Sequence, residues 1–175
     1  MIERNVEVGR MSSRWRALGL IAGFVSAMCM TAPARAERPV DVATRLYRDF
    51  AWEVVFAASA DPVFIDQPLA VLERYLTPEL AAAVRADRAC AARTHEICRL
   101  DVDPLWDAQD PAATGLRITP GAVPTRVDVS FDAPGGRHVV VHLRLRRTAS
   151  GWRIADFIGR DGRSLQSLLR GAPTP

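Results

Sequence analysis

Helix-like segments followed by two consecutive hairpins predict an α+β fold, with N-terminal helices packed on a curved antiparallel sheet. Apolar residues recur at steps of three to four between Val40 and Ser59, and between Pro124 and Phe157 they alternate with polar ones. The sequence Ala133-Pro134-Gly135-Gly136 marks where the alternating stretch turns back on itself.

In the first helix, Val42, Leu46, Phe50, Val54 and Ala57 form a stripe, and Arg45, Arg48, Asp49 and Glu53 fall largely between them. Asp41 stands where an N-cap or first-turn acid is favourable. Asp61-Pro62 ends the helix, because proline disfavours helical geometry in the residue before it. A short helix is expected over Leu69–Tyr75. Thr77-Pro78-Glu79 opens a third, with a threonine N-cap, proline at the first helical position and an acid in the first turn. Leu80, Val84 and Ala91 share one side of it. An acidic loop follows, Asp101 to Asp110, and then an edge strand at Gly115–Thr119. Val127, Val129 and Phe131 face opposite to Arg126, Asp128 and Ser130. Val139, Val141, Leu143 and Leu145 likewise oppose Val140, His142, Arg144 and Arg146, and Ala149-Ser150-Gly151 turns the chain into Trp152–Phe157. Ser164–Arg170 reads as a short terminal helix. The valine face of this meander is the only large partner for the first helix's stripe, so the helix is expected to lie across it.

Residues 1–36 read as a cleavable signal peptide, leaving a single α+β domain at 37–175. Arg14 and Arg16 supply a basic start, Ala17–Met30 an apolar core, and Ala34-Arg35-Ala36 the small residues before a cleavage point. The apolar run is shorter than the roughly 20 residues a spanning helix needs, so no stable membrane span remains after cleavage. Met28 before Cys29 is too large for a lipidation site, and Trp15 separates the two arginines of a twin-arginine signal. The polar residues 1–10 fit no leader, which points to Met11 as the initiator and leaves 1–10 untranslated. A periplasmic or secreted location is expected.

All 23 basic residues are arginine. Five of them and two of the 20 acids leave with the leader, so 139 residues carry 18 of each and a formal charge of zero. The basic isoelectric point therefore belongs to the leader and gives no support to nucleic-acid binding. An oxidising compartment favours a disulfide between Cys90 and Cys98. Eight residues of unbroken helix hold two Cα atoms about 12 Å apart, whereas a disulfide tolerates less than about 7 Å. The bond therefore needs a break within Ala91–Ile97, and Arg93-Thr94-His95 is the plausible place because Thr and His are weak helix formers. The alternatives are two separate thiols, or a zinc site from Cys90, His95 and Cys98 that lacks an evident fourth ligand.

Three stretches resemble a family of exported bacterial domains of unknown function. They are Tyr75-Leu76-Thr77-Pro78-Glu79-Leu80, then Asp103-Pro104-Leu105-Trp106-Asp107-Ala108-Gln109-Asp110, a D-P-x-x-x-x-Q-D motif, and Gly151-Trp152-Arg153-Ile154-Ala155-Asp156 with the leucines of the last helix. The resemblance spans about Val40–Leu169 and implies a cystatin-like fold, also called NTF2-like, and an exported or lipid-anchored protein with no agreed activity. The chain lacks the lipidation signal of the anchored members, so a soluble member is expected.

Asp101, Asp103, Asp107 and Asp110 offer oxygen ligands for calcium, but Pro104 interrupts the run and Trp106 stands where such loops want glycine. A plainer reading has Trp106 plugging the core while Gln109 and Asp110 cap backbone amides. Catalysis in this fold class resides between helix and sheet, where Tyr47 and Asp156 are the candidate cavity residues beside Tyr75, His95, His138 and His142. His138 and His142 share a strand face but lack a third ligand. No phosphate loop, nucleophile elbow or zincin motif is present. Arg126, Arg144, Arg146 and Arg153 gather on one sheet face, a candidate surface for an acidic partner. The expected function is thus a non-catalytic accessory or binding protein of the cell envelope, with an envelope protein as partner and no cofactor or metal. The alternative is a small-molecule-binding or enzymatic domain using the helix–sheet cavity.

Overall fold

Helix α1 (Pro39–Phe50) starts at an arginine held by an acid. The Asp41 carboxylate accepts the Arg38 backbone N–H at 2.9 Å and pairs with its guanidinium at 2.8 Å. This satisfies a backbone donor that has no partner inside the helix. Val42, Ala43, Leu46, Tyr47 and Phe50 are buried, the stripe read from the sequence with its two adjoining positions. The structure, a computed structural model, describes residues 36–55 and 61–171. The leader residues 1–35 lie outside them, as do 56–60, which include Ala57 of the expected stripe.

The first helix is shorter than expected. It ends at Phe50 and passes into a 3-10 turn, Ala51–Val54. A second such turn, Phe64–Asp66, leads to the single-turn helix α2 (Leu69–Leu72). The expected continuation to Tyr75 fails for a backbone reason: Tyr75 O accepts the Ile154 N–H at 2.8 Å, and Thr77 N–H donates to Ile154 O at 2.9 Å. These groups seal the outer edge of the last strand. Helix α3 (Pro78–Thr94) follows with Thr77 as its N-cap, and it closes at His95 in the left-handed conformation. The break expected near Arg93–His95 is therefore present. The chain reverses there, the Cys90 and Cys98 Cα atoms stand 6.2 Å apart, and the two cysteines are disulfide-bonded.

Four strands, β1 (Thr114–Pro120), β2 (Arg126–Ala133), β3 (Arg137–Thr148) and β4 (Gly151–Ile158), form an antiparallel sheet in sequence order. Val127, Val129, Phe131, Val139, Val141 and Leu143 are buried and share one core with the α1 stripe. The fold class is α+β, with three α-helices before the strands and a fourth, α4 (Leu165–Arg170), after them. The described residues make one compact unit. No helix among the described residues is long and apolar enough to cross a membrane.

The segment after the disulfide is fixed by an acid on α3. Asp87, 7 % exposed, accepts the Arg99 N–H at 3.0 Å and the Leu100 N–H at 3.3 Å. The Arg99 guanidinium then donates to Leu169 O of α4 at 2.7 Å. Replacing both cysteines by alanine is expected to lower stability by about 2–3 kcal/mol from unfolded-chain entropy. Chemical denaturation of the variant, and of the parent with reductant, checks it; equal midpoints in all three would refute that estimate.

Candidate functional site

The acidic loop is built around two buried carboxyl groups. Asp103 is 7 % exposed and Glu53, from the 3-10 turn after α1, is 3 % exposed. Glu53 accepts the Phe64 backbone N–H at 2.6 Å on Oε1 and the Trp106 indole N–H at 2.7 Å on Oε2. Asp103 accepts the Leu105 N–H at 2.8 Å on Oδ1 and is hydrogen-bonded to Glu53. Each acid accepts two N–H groups, Glu53 those of Phe64 and the Trp106 indole, Asp103 those of Leu105 and the Trp106 backbone. It is therefore the deeper burial of the Asp103 carboxyl beside Glu53 that favours its protonated form. Burial first, and then the Glu53 charge, push the Asp103 carboxyl well above the usual carboxylate range. Burial also raises Glu53, against the pull of its Trp106 and Phe64 donors.

Trp106 and Tyr47 close this pair off. Their rings meet edge to face at 5.3 Å, and Trp106 meets Phe131 of the sheet at 5.5 Å. Tyr47 is fully buried and donates its hydroxyl to Leu105 O at 2.8 Å. Burial and the two neighbouring acids raise its phenol well above the ordinary value, so it stays a donor. The loop is then tied to the far side of the molecule. Asp107, in the left-handed region at φ 49°, accepts the Arg160 N–H at 3.2 Å and pairs with its guanidinium. A Cβ at Gly159 would stand 2.7 Å from Asp107 Oδ1, so a larger residue there would push the Asp107 carboxylate aside.

The loop aspartates do not converge. Asp103 points inward to Glu53, Asp107 to Arg160, and Asp101 and Asp110 are exposed. Among the described residues no three His, Cys, Asp or Glu side chains are arranged to hold a metal. Gln109 and Asp110 are exposed, and the amide capping assigned to them is performed by Asp103 and Asp107. The two cysteine sulfurs are bonded to each other and are not ligands.

Tyr47 and Asp156 do not share a site. Asp156, 1 % exposed, accepts from the Arg144 guanidinium, from the Ser164 hydroxyl at 2.6 Å and from the Gln166 N–H at 2.9 Å. It fastens the start of α4 to β4. Tyr75 donates to Asp49 at 2.7 Å, and His95 is the exposed C-cap of α3.

The four arginines do share a sheet face. Arg126 is paired in register with Arg144, and Arg146 with Arg153. Each is held by a local acceptor: Arg126 by Asp128 at 2.6 Å, Arg144 by Asp156, Arg146 by Glu79 at 2.8 Å and Arg153 by Glu73 O at 2.9 Å. His142 and His138 lie opposite Asp128 and Asp132 in the ladder and bond to them at 2.8 and 2.9 Å. Asp128 is held below the usual range by Arg126 and His142, against its partial burial.

Sequence reading missed Glu53, although the signal was present: it stands seven residues after Leu46 and three after Phe50, on the apolar stripe. Compared with protein-family models, curated proteins and solved structures, the chain matches none of them.

Because Asp103 binds its proton more tightly folded than unfolded, its contribution to stability is full below the ordinary carboxylate value. It is lost as pH rises through the higher folded value. Asp103→Asn keeps a donor to Glu53 and an acceptor for Leu105 without the proton. Its melting temperature relative to the parent is expected to climb steadily from pH 5 to pH 8. A constant offset would show that Asp103 is ionised. Asp103→Ala, which strands both partners, is expected to cost about 1–3 kcal/mol at neutral pH, read by denaturant unfolding.

Proposed function

We propose that this chain is an exported cell-envelope protein that works by binding a protein partner, using the arginine-bearing face of its sheet. The observation that carries the reading is that face itself. The α1 and α3 stripes share the valine-side core, and Arg126, Arg144, Arg146 and Arg153 stand on the other face, with Arg144 and Arg146 side chains more than half exposed. Guanidinium groups favour planar, bidentate recognition of carboxylates and are enriched at interfaces. Arg146 pairs with the exposed Glu79, and Arg153 is held by the Glu73 carbonyl rather than by an acid, so these two guanidinium groups are the ones most easily turned to a partner's carboxylates.

Several further features support the reading. The buried acids Glu53, Asp87, Asp103 and Asp156 are each bonded to backbone or side-chain groups of the chain itself. The motif that carries the family resemblance serves here as a brace. Helices ahead of a four-stranded meander are compatible with the cystatin-like, or NTF2-like, architecture that the resemblance implies. The leader pattern and the Cys90–Cys98 disulfide favour the periplasm or the exterior.

Export is expected to yield a protein whose N-terminus is Glu37; N-terminal sequencing of protein recovered from the envelope fraction decides it, and an intact leader would overturn the compartment. Crosslinking in intact cells is expected to capture a stoichiometric protein partner, and Arg146→Glu with Arg153→Glu to reduce capture at least about tenfold. Arg144 is spared because it neutralises buried Asp156. Capture unchanged by the double variant, with the fold confirmed by circular dichroism, would remove the sheet face from the interface.

A further inference from the structure

We propose that a cleft at the C-terminal end of α1 binds a carboxylated saccharide. The cleft is about 480 Å³ and open to solvent. Phe50 and Tyr75, 5 % and 1 % exposed, form its floor, and half-buried Trp52 and Val71 its walls. Asp49, Gln67 and Arg74 bring polar groups to the same cleft. The site is distinct from the arginine face and goes beyond the partner-binding reading.

The hydrogen bonds already made there define what is left to make. Tyr75 donates to Asp49 Oδ2 at 2.7 Å, Arg48 occupies Asp49 Oδ1, and Gln67 donates to Pro62 O. Arg74 lies 5.6 Å from the Tyr75 ring centroid, and its guanidinium, which also feels the Asp49 charge, makes no side-chain hydrogen bond among the described residues. The Trp52 indole N–H has no acceptor among them either. The cleft therefore presents unspent donors around an aromatic base, and its ligand must supply acceptors. A planar guanidinium matches a carboxylate in two parallel bonds.

The remaining lining selects the body that carries the carboxylate. Trp52 provides an apolar surface with a polar handle, suited to the C–H face of a sugar ring. A carboxylate has about four lone-pair sites, so Asp49 retains capacity for sugar hydroxyl donors, and the Gln67 carbonyl adds another acceptor. A plain aromatic or alkyl acid would cover Asp49 and Gln67 without replacing their water, a loss the hydroxyls avoid.

The test titrates the purified chain with trigalacturonate, with maltotriose as the neutral sugar and triglutamate as the acid without a sugar. Tryptophan emission and calorimetry are the readouts. Saturable binding of trigalacturonate is expected, at least about tenfold tighter than either control. Arg74→Ala is expected to weaken it about tenfold or more, while Trp52→Phe removes the emission change that Trp152→Phe leaves in place. Arg74 is exposed, so a melting curve establishes that its variant is folded. Triglutamate binding as tightly would make the cleft a peptide-acid site and overturn the proposal. So would equal binding of maltotriose, indifference to Arg74→Ala, or no saturation by about 10 mM ligand. Arg146→Glu alone, whose partner Glu79 lies outside the cleft, leaves this binding unchanged while lowering partner capture, so the two losses are read separately.

Discussion

The buried acid pair Asp103 and Glu53 is the contact on which the rest of the structure depends. Two carboxylates cannot both stay charged in a site closed by Trp106 and Tyr47, because each would repel the other where water is absent. One proton turns that repulsion into a hydrogen bond, and the bond joins segments 50 residues apart in the chain. Glu53 simultaneously fixes the start of the Phe64 turn and the Trp106 indole. The loop that carries Asp103 can therefore seat its tryptophan against the sheet without leaving a buried polar atom alone.

The same device recurs at the other junctions. Asp87 gathers the backbone after the disulfide onto α3, Asp156 gathers the start of α4 onto β4, and Asp107 gathers the β4–α4 turn onto the loop. In each case a short acid side chain accepts backbone N–H groups that no helix or strand satisfies. Buried polar groups demand partners, and the charged acceptor is the stronger kind. Apolar burial sets the layers, and these acids set where the connections cross them.

How far the sequence reveals this follows from the range of each interaction. Strand alternation and helix periodicity are local, so Val127–Phe131, Val139–Leu145 and the Val42–Leu46–Phe50 stripe read directly. The Thr77 cap and the break before Cys98 are local too. The early end of α1 at Phe50 was not legible, since no glycine or proline follows until Pro62. Neither was the pairing of Glu53 with Asp103. The helical position of Glu53 marks it as inward, but nothing near it in sequence shows that a second acid waits there. Asp156 was legible as a buried acid and not as a brace, because its partners Ser164 and Gln166 lie beyond an intervening turn.

The brace also bears on the cleft through one peptide bond. Trp52 and Glu53 are consecutive, and they serve opposite sides: Glu53 is buried and bonded to three separate groups, while Trp52 lines the open cleft. A 3-10 turn anchored so firmly at one residue holds its neighbour's backbone in place. A wall fixed before a ligand arrives loses little freedom when one binds. Tyr75 extends the same logic on the floor, with its hydroxyl fixed to Asp49 and its carbonyl fixed to Ile154 of the sheet edge. The recognition surface is thus organised by bonds that no ligand needs to make. Weakening the Asp103–Glu53 proton bond would loosen the cleft without touching any group that lines it.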